Sequence, residues 1–170
     1  MKILILRHAA ALDREIAKQQ HVRDAARPLT SAGKRKMRAA ARGIEKLIDS
    51  IDVIAVSPLL RATQTGDFLA RRFPKSTREE CSALRPNFVI ASLPTWLRQQ
   101  AFDSTITVVG HEPELSSFIS WATSGRLHGY IKLKKSGACL LEFSKRVAKG
   151  KAVMHWLLTP EHLRVFGRQA

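Results

Sequence analysis

A chain of 170 residues with 45% hydrophobic and 25% charged residues has the length and balance of a single globular domain, predicted here to span residues 1–170. Lysine and arginine number 29 against 14 acidic residues, and this net charge of +15 favours anionic ligands such as phosphates or nucleic acid. The N-terminal apolar run is too short for a signal-peptide core, and no stretch approaches a membrane span, so a membrane protein is not expected. Cys81 and Cys139 stand far apart and outside any zinc-binding spacing, which predicts reduced thiols in a cytoplasmic protein.

Apolar runs alternate with helical patterns through the first 125 residues, which predicts a largely parallel sheet covered on both faces. Residues 74–87 are predicted to be irregular, and the last two strands are predicted to pair as a hairpin. The predicted fold is a three-layer αβα sandwich with an antiparallel C-terminal edge. The predicted strands cover residues 2–6, 53–56, 105–109, 130–134, 138–143 and 152–158. The predicted helices cover residues 31–48, from Ser57-Pro58 to about 73, 93–102 and 113–123, with Thr30 or Ser31 as the N-cap of the first.

Histidine or arginine follows each of the first three predicted strands. The first ends in Arg7 and His8, the second in Ser57 with Arg61 one helical turn later, and the third in His111. Ligands of open parallel sheets bind beyond the carboxyl ends of the strands, where helix N-termini also favour anions. The sequence therefore predicts one electropositive pocket that contains two histidines and two arginines.

This combination of side chains suits phosphoryl transfer. Arginine forks match phosphate oxygens, and a neutral imidazole can attack phosphorus to form a covalent phosphohistidine. A second histidine can stabilise the charge that develops on the transferring group. Strand-end spacing alone predicts an anion-binding α/β domain, with a phosphatase as the sharper hypothesis. No metal-ligand spacing and no nucleotide-binding glycine motif occurs, so neither a metal nor another cofactor is expected.

Four motifs in order carry a more specific resemblance. "LRHA", "RPLT" followed by Gly33, "VSPLLRATQT" and "VVGHEPEL" lie between residues 1 and 123. Together they resemble the histidine phosphatase superfamily, which is phosphoglycerate mutase-like, and in particular its small SixA-type phosphohistidine phosphatases. The resemblance implies a metal-independent phosphatase that forms a phosphohistidine intermediate and dephosphorylates phosphohistidine on proteins.

The same resemblance implies roles for individual residues. His8 is the expected nucleophile, and Arg7 and Arg61 are the expected phosphate clamps. His111 is the expected second histidine of the phosphate pocket. Arg27 of "RPLT" matches a further basic residue that lines the pocket, and the hydroxyl of Ser57 is expected to support substrate binding.

The sequence also departs from the superfamily pattern. Ala9 replaces a common glycine after the histidine, which restricts the backbone there. Larger members carry an acidic proton donor, and Glu79 and Glu80 are the nearest acids in that region. Glu112 follows His111 and could tune its imidazole, but the preferred interpretation is an acid at a helix N-terminus, where the helix dipole favours it. Without a dedicated acid, the site is expected to favour a phosphorus–nitrogen bond to imidazole over a phosphate ester.

Two other functions are considered. A non-catalytic domain could use the positive charge to bind nucleic acid or polyphosphate, but such a domain would need only the arginines. A mutase is disfavoured by the short chain and the missing acid. The expected partner is a phosphorylated protein or a small phosphorylated substrate, and nucleic acid or another polyanion is a further possible ligand of the basic surface. His21, His128, His155 and His162 belong to no motif and are expected to be structural or exposed.

Overall fold

Six strands form one mixed sheet in the computed structural model, which describes residues 1–87, 89, 91–127 and 131–168. The strands are β1 (Lys2–Arg7), β2 (Val53–Val56), β3 (Thr77–Glu80), β4 (Thr105–Gly110), β5 (Ala138–Phe143) and β6 (Ala152–Leu158). The strand order is β3-β2-β4-β1-β5-β6; β1 to β4 are parallel, and β5 and β6 are antiparallel to their neighbours. The predicted fold class and the C-terminal hairpin are therefore confirmed.

Helices cover both faces of this sheet because its central strands are apolar on both sides. The helices are α1 (Arg14–Gln19), α2 (Ser31–Glu45), α3 (Leu60–Ala70), α4 (Ser92–Leu97), α5 (Glu114–Ser124) and α6 (Pro160–Phe166). Along β1, Ile3 and Ile5 pack into one hydrophobic core with α4 and α5, while Leu4 and Leu6 pack into a second core with α2, α3 and α6. This alternation is the two-residue period of a strand buried on both faces.

The start of α2 lies directly against the loop that follows β1. The Thr30 hydroxyl accepts a hydrogen bond from the amide of Gly33 at 2.9 Å, which confirms Thr30 as the N-cap. A Cβ atom on Gly33 would lie 2.1 Å from the carbonyl oxygen of Ala10, so only glycine allows this approach. The "RPLT" motif and Gly33 therefore fix the loop after β1 against the start of α2.

Several sequence predictions are wrong in detail. Residues 74–87 are not wholly irregular, since they contain β3 and a 3-10 turn at Ser82–Leu84. Residues 131–134 form no strand, and Tyr130 lies outside the described residues. The helix predicted from Ser57 begins at Leu60, and the helix predicted over 93–102 ends at Leu97. Neither α1 nor α6 was predicted.

The described residues include no helix that combines the length and the apolar composition needed to cross a membrane.

Candidate active site

A polar cavity of about 350 Å³ lies at the carboxyl ends of β1, β2 and β4. The backbone amide of His8 donates to the carbonyl of Gly110, and the amide of Ser57 donates to the carbonyl of Val109, so the three strand ends are tied together. Five of the six predicted site residues line this cavity. They are Arg7, His8, Arg27, Arg61 and His111.

Among the described residues, only one of the two ring nitrogens of His8 has a hydrogen-bond partner. Its Nδ1 lies 2.7 Å from the carbonyl oxygen of Ala9, and only a protonated Nδ1 can donate to that oxygen. The lone pair of the neutral imidazole is therefore on Nε2. Burial of His8, which is 8% exposed, and to a smaller extent the charges of His111, Arg61 and Arg7 lower its pKa to about 3, although the hydrogen bond to the Ala9 carbonyl acts to raise it. His8 is thus a neutral imidazole with a free lone pair at neutral pH.

The loop after His8 is anchored to α3 although alanine follows the histidine. The amide of Ala9 donates to the hydroxyl of Thr65 at 3.0 Å, and that hydroxyl donates to the carbonyl of Arg61 at 2.6 Å. Ala9 is fully buried, and its φ is not among the positive values of the chain. The loop therefore needs no glycine at this position, and the imidazole of His8 is fixed relative to α3.

His111 faces His8 across the cavity. The two ring centroids are 5.0 Å apart, and Nε2 of His111 lies 2.8 Å from Oγ of Ser57. Burial and the charge of Arg61 lower the pKa of His111 to about 3, so this ring is also neutral. Its buried Nδ1 has no hydrogen-bond partner among the described residues. A buried polar atom without a partner is uncommon in folded proteins, and here it belongs to a residue that lines the cavity.

Ser57 follows β2, at the strand end where the sequence predicts it. It is fully buried and does not line the cavity. Its contact with His111 makes it a residue that positions the imidazole, and a direct role in substrate binding stays a prediction.

The guanidinium groups are held by buried contacts to the backbone. Nη1 of Arg7 donates to the carbonyl of Leu133 at 2.8 Å, and its buried Nε has no partner among the described residues. Arg61, only 2% exposed, also keeps a buried Nε without a partner there. Two fixed cations that line the cavity supply the positive charge that an anion bound there would engage.

Asp24 ties Arg27 to Arg61, and the sequence analysis missed it. Its Oδ1 accepts from Nε of Arg27 at 2.9 Å, its Oδ2 accepts from Nη2 of Arg61 at 3.2 Å, and its carbonyl accepts from Nη1 of Arg61. Partial burial acts to raise the pKa of Asp24, but the charges of Arg61 and Arg27 outweigh it and lower the pKa. Asp24 therefore stays ionised and orients both arginines. Its position three residues before Arg27 was the available sequence signal.

The three glutamates considered from the sequence are separated by the structure. Glu112 lines the cavity; its Oε2 accepts from Oγ of Ser116 at 2.6 Å, and its buried Oε1 has no partner among the described residues. Burial raises the pKa of Glu112. Glu79 and Glu80 lie on the edge strand β3 and do not line this cavity. In the described parts of the chain, no three His, Cys, Asp or Glu side chains are grouped as ligands for a metal ion.

The other histidines lie away from the cavity. His21, His155 and His162 are exposed, and His155 pairs with Glu142 at 2.6 Å. His128 lies outside the described residues.

Comparisons with known proteins agree with the motifs and the geometry. Residues 3–85 match the family model of the histidine phosphatase superfamily (branch 1). An uncharacterized protein of Picosynechococcus is 30% identical over 139 residues, which cover 81% of this chain and 82% of the relative. The structure of the protein histidine phosphatase SixA complexed with tungstate aligns over 96% of this chain and 99% of its own, with a TM-score of 0.81 and 23% identity.

Other enzymes share the fold. A phosphoserine phosphatase from Entamoeba histolytica, in complex with phosphoserine, aligns over 95% of this chain and 98% of its own, with a TM-score of 0.66 and 16% identity. A phosphoglycerate mutase from Plasmodium falciparum aligns over 91% of this chain and 88% of its own, with a TM-score of 0.63 and 16% identity. These structures share the fold of the chain, and the match of residues 3–85 to the family model identifies it as a member of the histidine phosphatase superfamily, branch 1.

Proposed function

We propose that this protein is a phosphatase that works through a phosphorylated His8, and that its substrate is phosphohistidine on a protein. The observation that carries the proposal is the free Nε2 of His8 inside a cavity lined by four arginines and a second histidine. Because Nδ1 donates to the carbonyl of Ala9, the nucleophilic lone pair is on the nitrogen that remains. A neutral histidine is the form that can attack phosphorus.

The reaction follows in two displacements. In the first, Nε2 of His8 forms a bond to phosphorus, the bond from phosphorus to the substrate imidazole breaks, and that nitrogen takes up a proton. In the second, water attacks the phosphorus of phospho-His8, inorganic phosphate leaves, and the His8 lone pair is restored. Each displacement is easier than direct attack of water on the substrate.

The charge on the transferring phosphoryl group would be stabilised by groups already in place. Arg7 and Arg61 are fixed by backbone carbonyls, so they need little reorganisation when the charge develops. His111, held by Ser57, adds a neutral donor next to His8. Fixed arginines supply the positive charge that a metal ion supplies in other phosphatases.

Leaving-group chemistry supports phosphohistidine as the substrate. An alcohol leaving group needs a positioned proton donor, which contributes about 10²–10⁴-fold. An imidazole nitrogen has a pKa near neutrality, about 6.5, and leaves with little help. Glu112 is the candidate acid, but one of its oxygens is bound by Ser116 and the other is shielded from solvent. The fold is also shared with the phosphoserine phosphatase of Entamoeba histolytica, so the substrate class has to be decided by measurement.

Two peptides of one sequence, phosphorylated on histidine or on serine at the same position, test the proposal. We expect kcat/KM to be at least tenfold higher for the phosphohistidine peptide, as for an enzyme without an exposed proton donor. His8→Ala is the control, and it should hydrolyse neither peptide. Preference for the phosphoserine peptide would contradict the substrate assignment, and turnover by His8→Ala would contradict the mechanism.

The alternative of a non-catalytic polyanion-binding domain is disfavoured by the same site. A pure anion binder gains nothing from a neutral imidazole with a free lone pair. Binding of an oligonucleotide with a steep salt dependence and no turnover of any phosphate compound would favour that alternative.

A cytoplasmic location is part of the proposal. It is supported by Cys81 and Cys139, which are both buried and unbridged.

A further inference from the structure

A second cavity lies beside the catalytic one and is strongly basic. This cationic groove has a volume of about 360 Å³. Glu161 is the one acidic residue among the described residues that line it, and Arg164 pairs with that carboxylate at 3.6 Å. Six cationic side chains line the groove, namely Arg7, Lys36, Lys132, Lys134, Lys135 and Arg164.

The groove adjoins the catalytic cavity. Arg7 and Lys135 line both, so a ligand that fills the catalytic cavity can extend into the groove without leaving the protein surface. Its walls come from α2, α6 and the segment that enters β5, three parts of the chain that are distant in sequence. A basic concavity assembled from distant segments is not the solvated face of a single helix.

The lysines of the groove form no ion pair among the described residues, and Glu161, which interacts with the charge of Lys134, is the one acid that lines the groove there. Lys36, Lys132, Lys134 and Lys135 are exposed, and no carboxylate in the described part of the chain lies within ion-pair distance of them. Four like charges gathered around one concavity repel each other, and an anionic ligand would relieve that repulsion. The protein therefore carries a ready binding surface for several negative charges next to its catalytic cavity.

We propose that the cationic groove binds an acidic segment of the protein substrate, next to the phosphohistidine that enters the catalytic cavity. This proposal rests on the proposed function and adds to it the kind of partner: a phosphoprotein with aspartate or glutamate residues flanking its phosphohistidine. Four of the six cations are lysines, whose compact charges pair with separately placed carboxylates, whereas bidentate phosphate recognition favours arginine.

A nucleic acid fits the groove less well. Among the described residues, no aromatic side chain lines the groove, so it lacks the stacking platform on which single-stranded bases bind. The positive charges are also gathered in one concavity that joins the catalytic cavity. The groove is therefore suited to extend the recognition of the substrate that is being dephosphorylated.

Charge reversal in the groove, compared with the same charge reversal elsewhere, tests the proposal. The groove variant is Lys36→Glu/Lys134→Glu. The control variant is Lys145→Glu/Lys151→Glu, which changes the net charge equally in the turn between β5 and β6. That turn follows Phe143, whose amide donates to the carbonyl of Met1, the residue before β1. The turn therefore lies near the start of β1, whereas the catalytic cavity lies at its carboxyl end.

The substrates are two phosphohistidine peptides, one with aspartate and glutamate around the phosphohistidine and one with asparagine and glutamine in their place. We expect the wild-type protein to prefer the acidic peptide by about tenfold in kcat/KM through a lower KM, as for several exposed charge pairs acting together. The groove variant should lose this preference and the control variant should keep it. Equal kcat/KM for both peptides in the wild type, or equal losses in the two variants, would overturn the proposal. A milder groove variant, Lys36→Gln/Lys134→Gln, repeats the test if charge reversal prevents folding.

A competition experiment separates failure of this proposal from failure of the proposed function. If neither phosphohistidine peptide is hydrolysed but a chromogenic phosphate ester is, the proposed substrate class fails. The groove is then tested by inhibition of ester hydrolysis with the unphosphorylated acidic and neutral peptides. Stronger inhibition by the acidic peptide, lost only in the groove variant, supports acidic-segment binding. Stronger inhibition by a single-stranded oligonucleotide of equal charge overturns the assignment of the partner.

Discussion

Oγ of Ser57 lies 2.8 Å from Nε2 of His111, and both side chains are buried. Ser57 follows β2 and His111 follows β4, two strands that pair in parallel, so the sheet itself fixes the distance between them. The serine hydroxyl thereby holds the orientation of a neutral imidazole that faces His8 across the cavity.

Ser57→Ala removes this contact without adding bulk. We expect kcat to fall by about fivefold, because a neutral hydrogen bond is worth about 1 kcal/mol. The ¹⁵N chemical shifts of His111 should change, since the ring loses the partner that fixes its tautomer, and a merely structural role would leave them unchanged. Unchanged shifts together with unchanged kcat would contradict a positioning role for Ser57.

The two fixed arginines are expected to act in the transition state. Arg7→Ala and Arg61→Ala should each lower kcat by about 10²-fold or more, as for removal of one preorganised donor. Arg7→Lys should recover only part of the loss, because lysine lacks the planar fork. Arg35→Ala, on the exposed side of α2, is the control.

Chelation of metal ions tests whether the arginines supply the positive charge of the site. EDTA should leave kcat unchanged if the arginines supply the positive charge. Activity that is lost on chelation and restored by a divalent cation would contradict this assignment.

Both histidines of the cavity should make stability depend on pH. Their pKa in the folded protein is about 3, below the ordinary 6.5, so between these values the unfolded chain binds protons that the folded chain does not. The free energy of unfolding should therefore decrease as pH falls below 6.5, by about 2 kcal/mol per histidine at pH 5. Urea unfolding at pH 7 and pH 5 measures this decrease, which should be smaller in His111→Asn than in the wild type.

His21→Asn is the matched control, because His21 is exposed and does not line the cavity. An identical decrease in the wild type, His111→Asn and His21→Asn would mean that the cavity histidines are not held neutral by burial.

Glu112 decides whether the site contains a proton donor. Glu112→Gln should lower kcat/KM for a phosphohistidine peptide by less than about tenfold, because imidazole needs little help to leave. The raised pKa of Glu112 makes it the carboxyl most suited to give up a proton if the substrate is an ester. A loss of about 10²-fold or more on a phosphate ester, with little change for the phosphohistidine peptide, would identify Glu112 as that donor. Ester turnover close to that of phosphohistidine would then remove the chemical reason for preferring phosphohistidine.

The fold and most of the cavity could be predicted because they depend on local pattern. Each buried strand is a short apolar run in the sequence, and parallel strands all end at the same edge of the sheet. Arg7, His8 and His111 could therefore be expected to lie close together. By contrast, β3 is an exposed edge strand of sequence "TREE", and no hydrophobic pattern marks such a strand. The start of α6 did carry a signal, since Thr159 caps it and Pro160 follows, but the apolar run before it was more prominent.

Contacts between distant segments could not be predicted in the same way. Asp24 contacts Arg61 across 37 residues, and nothing local to either residue indicates the pair. The position of Ser57 behind His111 likewise depends on the pairing of β2 with β4 rather than on its own neighbours. The cationic groove combines α2, α6 and the segment before β5, so the sequence revealed its charge but not its location.

The most direct test of the central claim is to mix the protein with phosphoramidate, quench the reaction rapidly under non-acidic conditions and analyse the protein by mass spectrometry. The mechanism requires a covalent phosphoryl group on Nε2 of His8 during turnover. The expected result is one phosphoryl group on the peptide that contains His8, which appears within the first turnover and is absent from His8→Ala. A protein that hydrolyses phosphoramidate while His8 stays unmodified, or that carries the phosphoryl group on His111, would contradict the account.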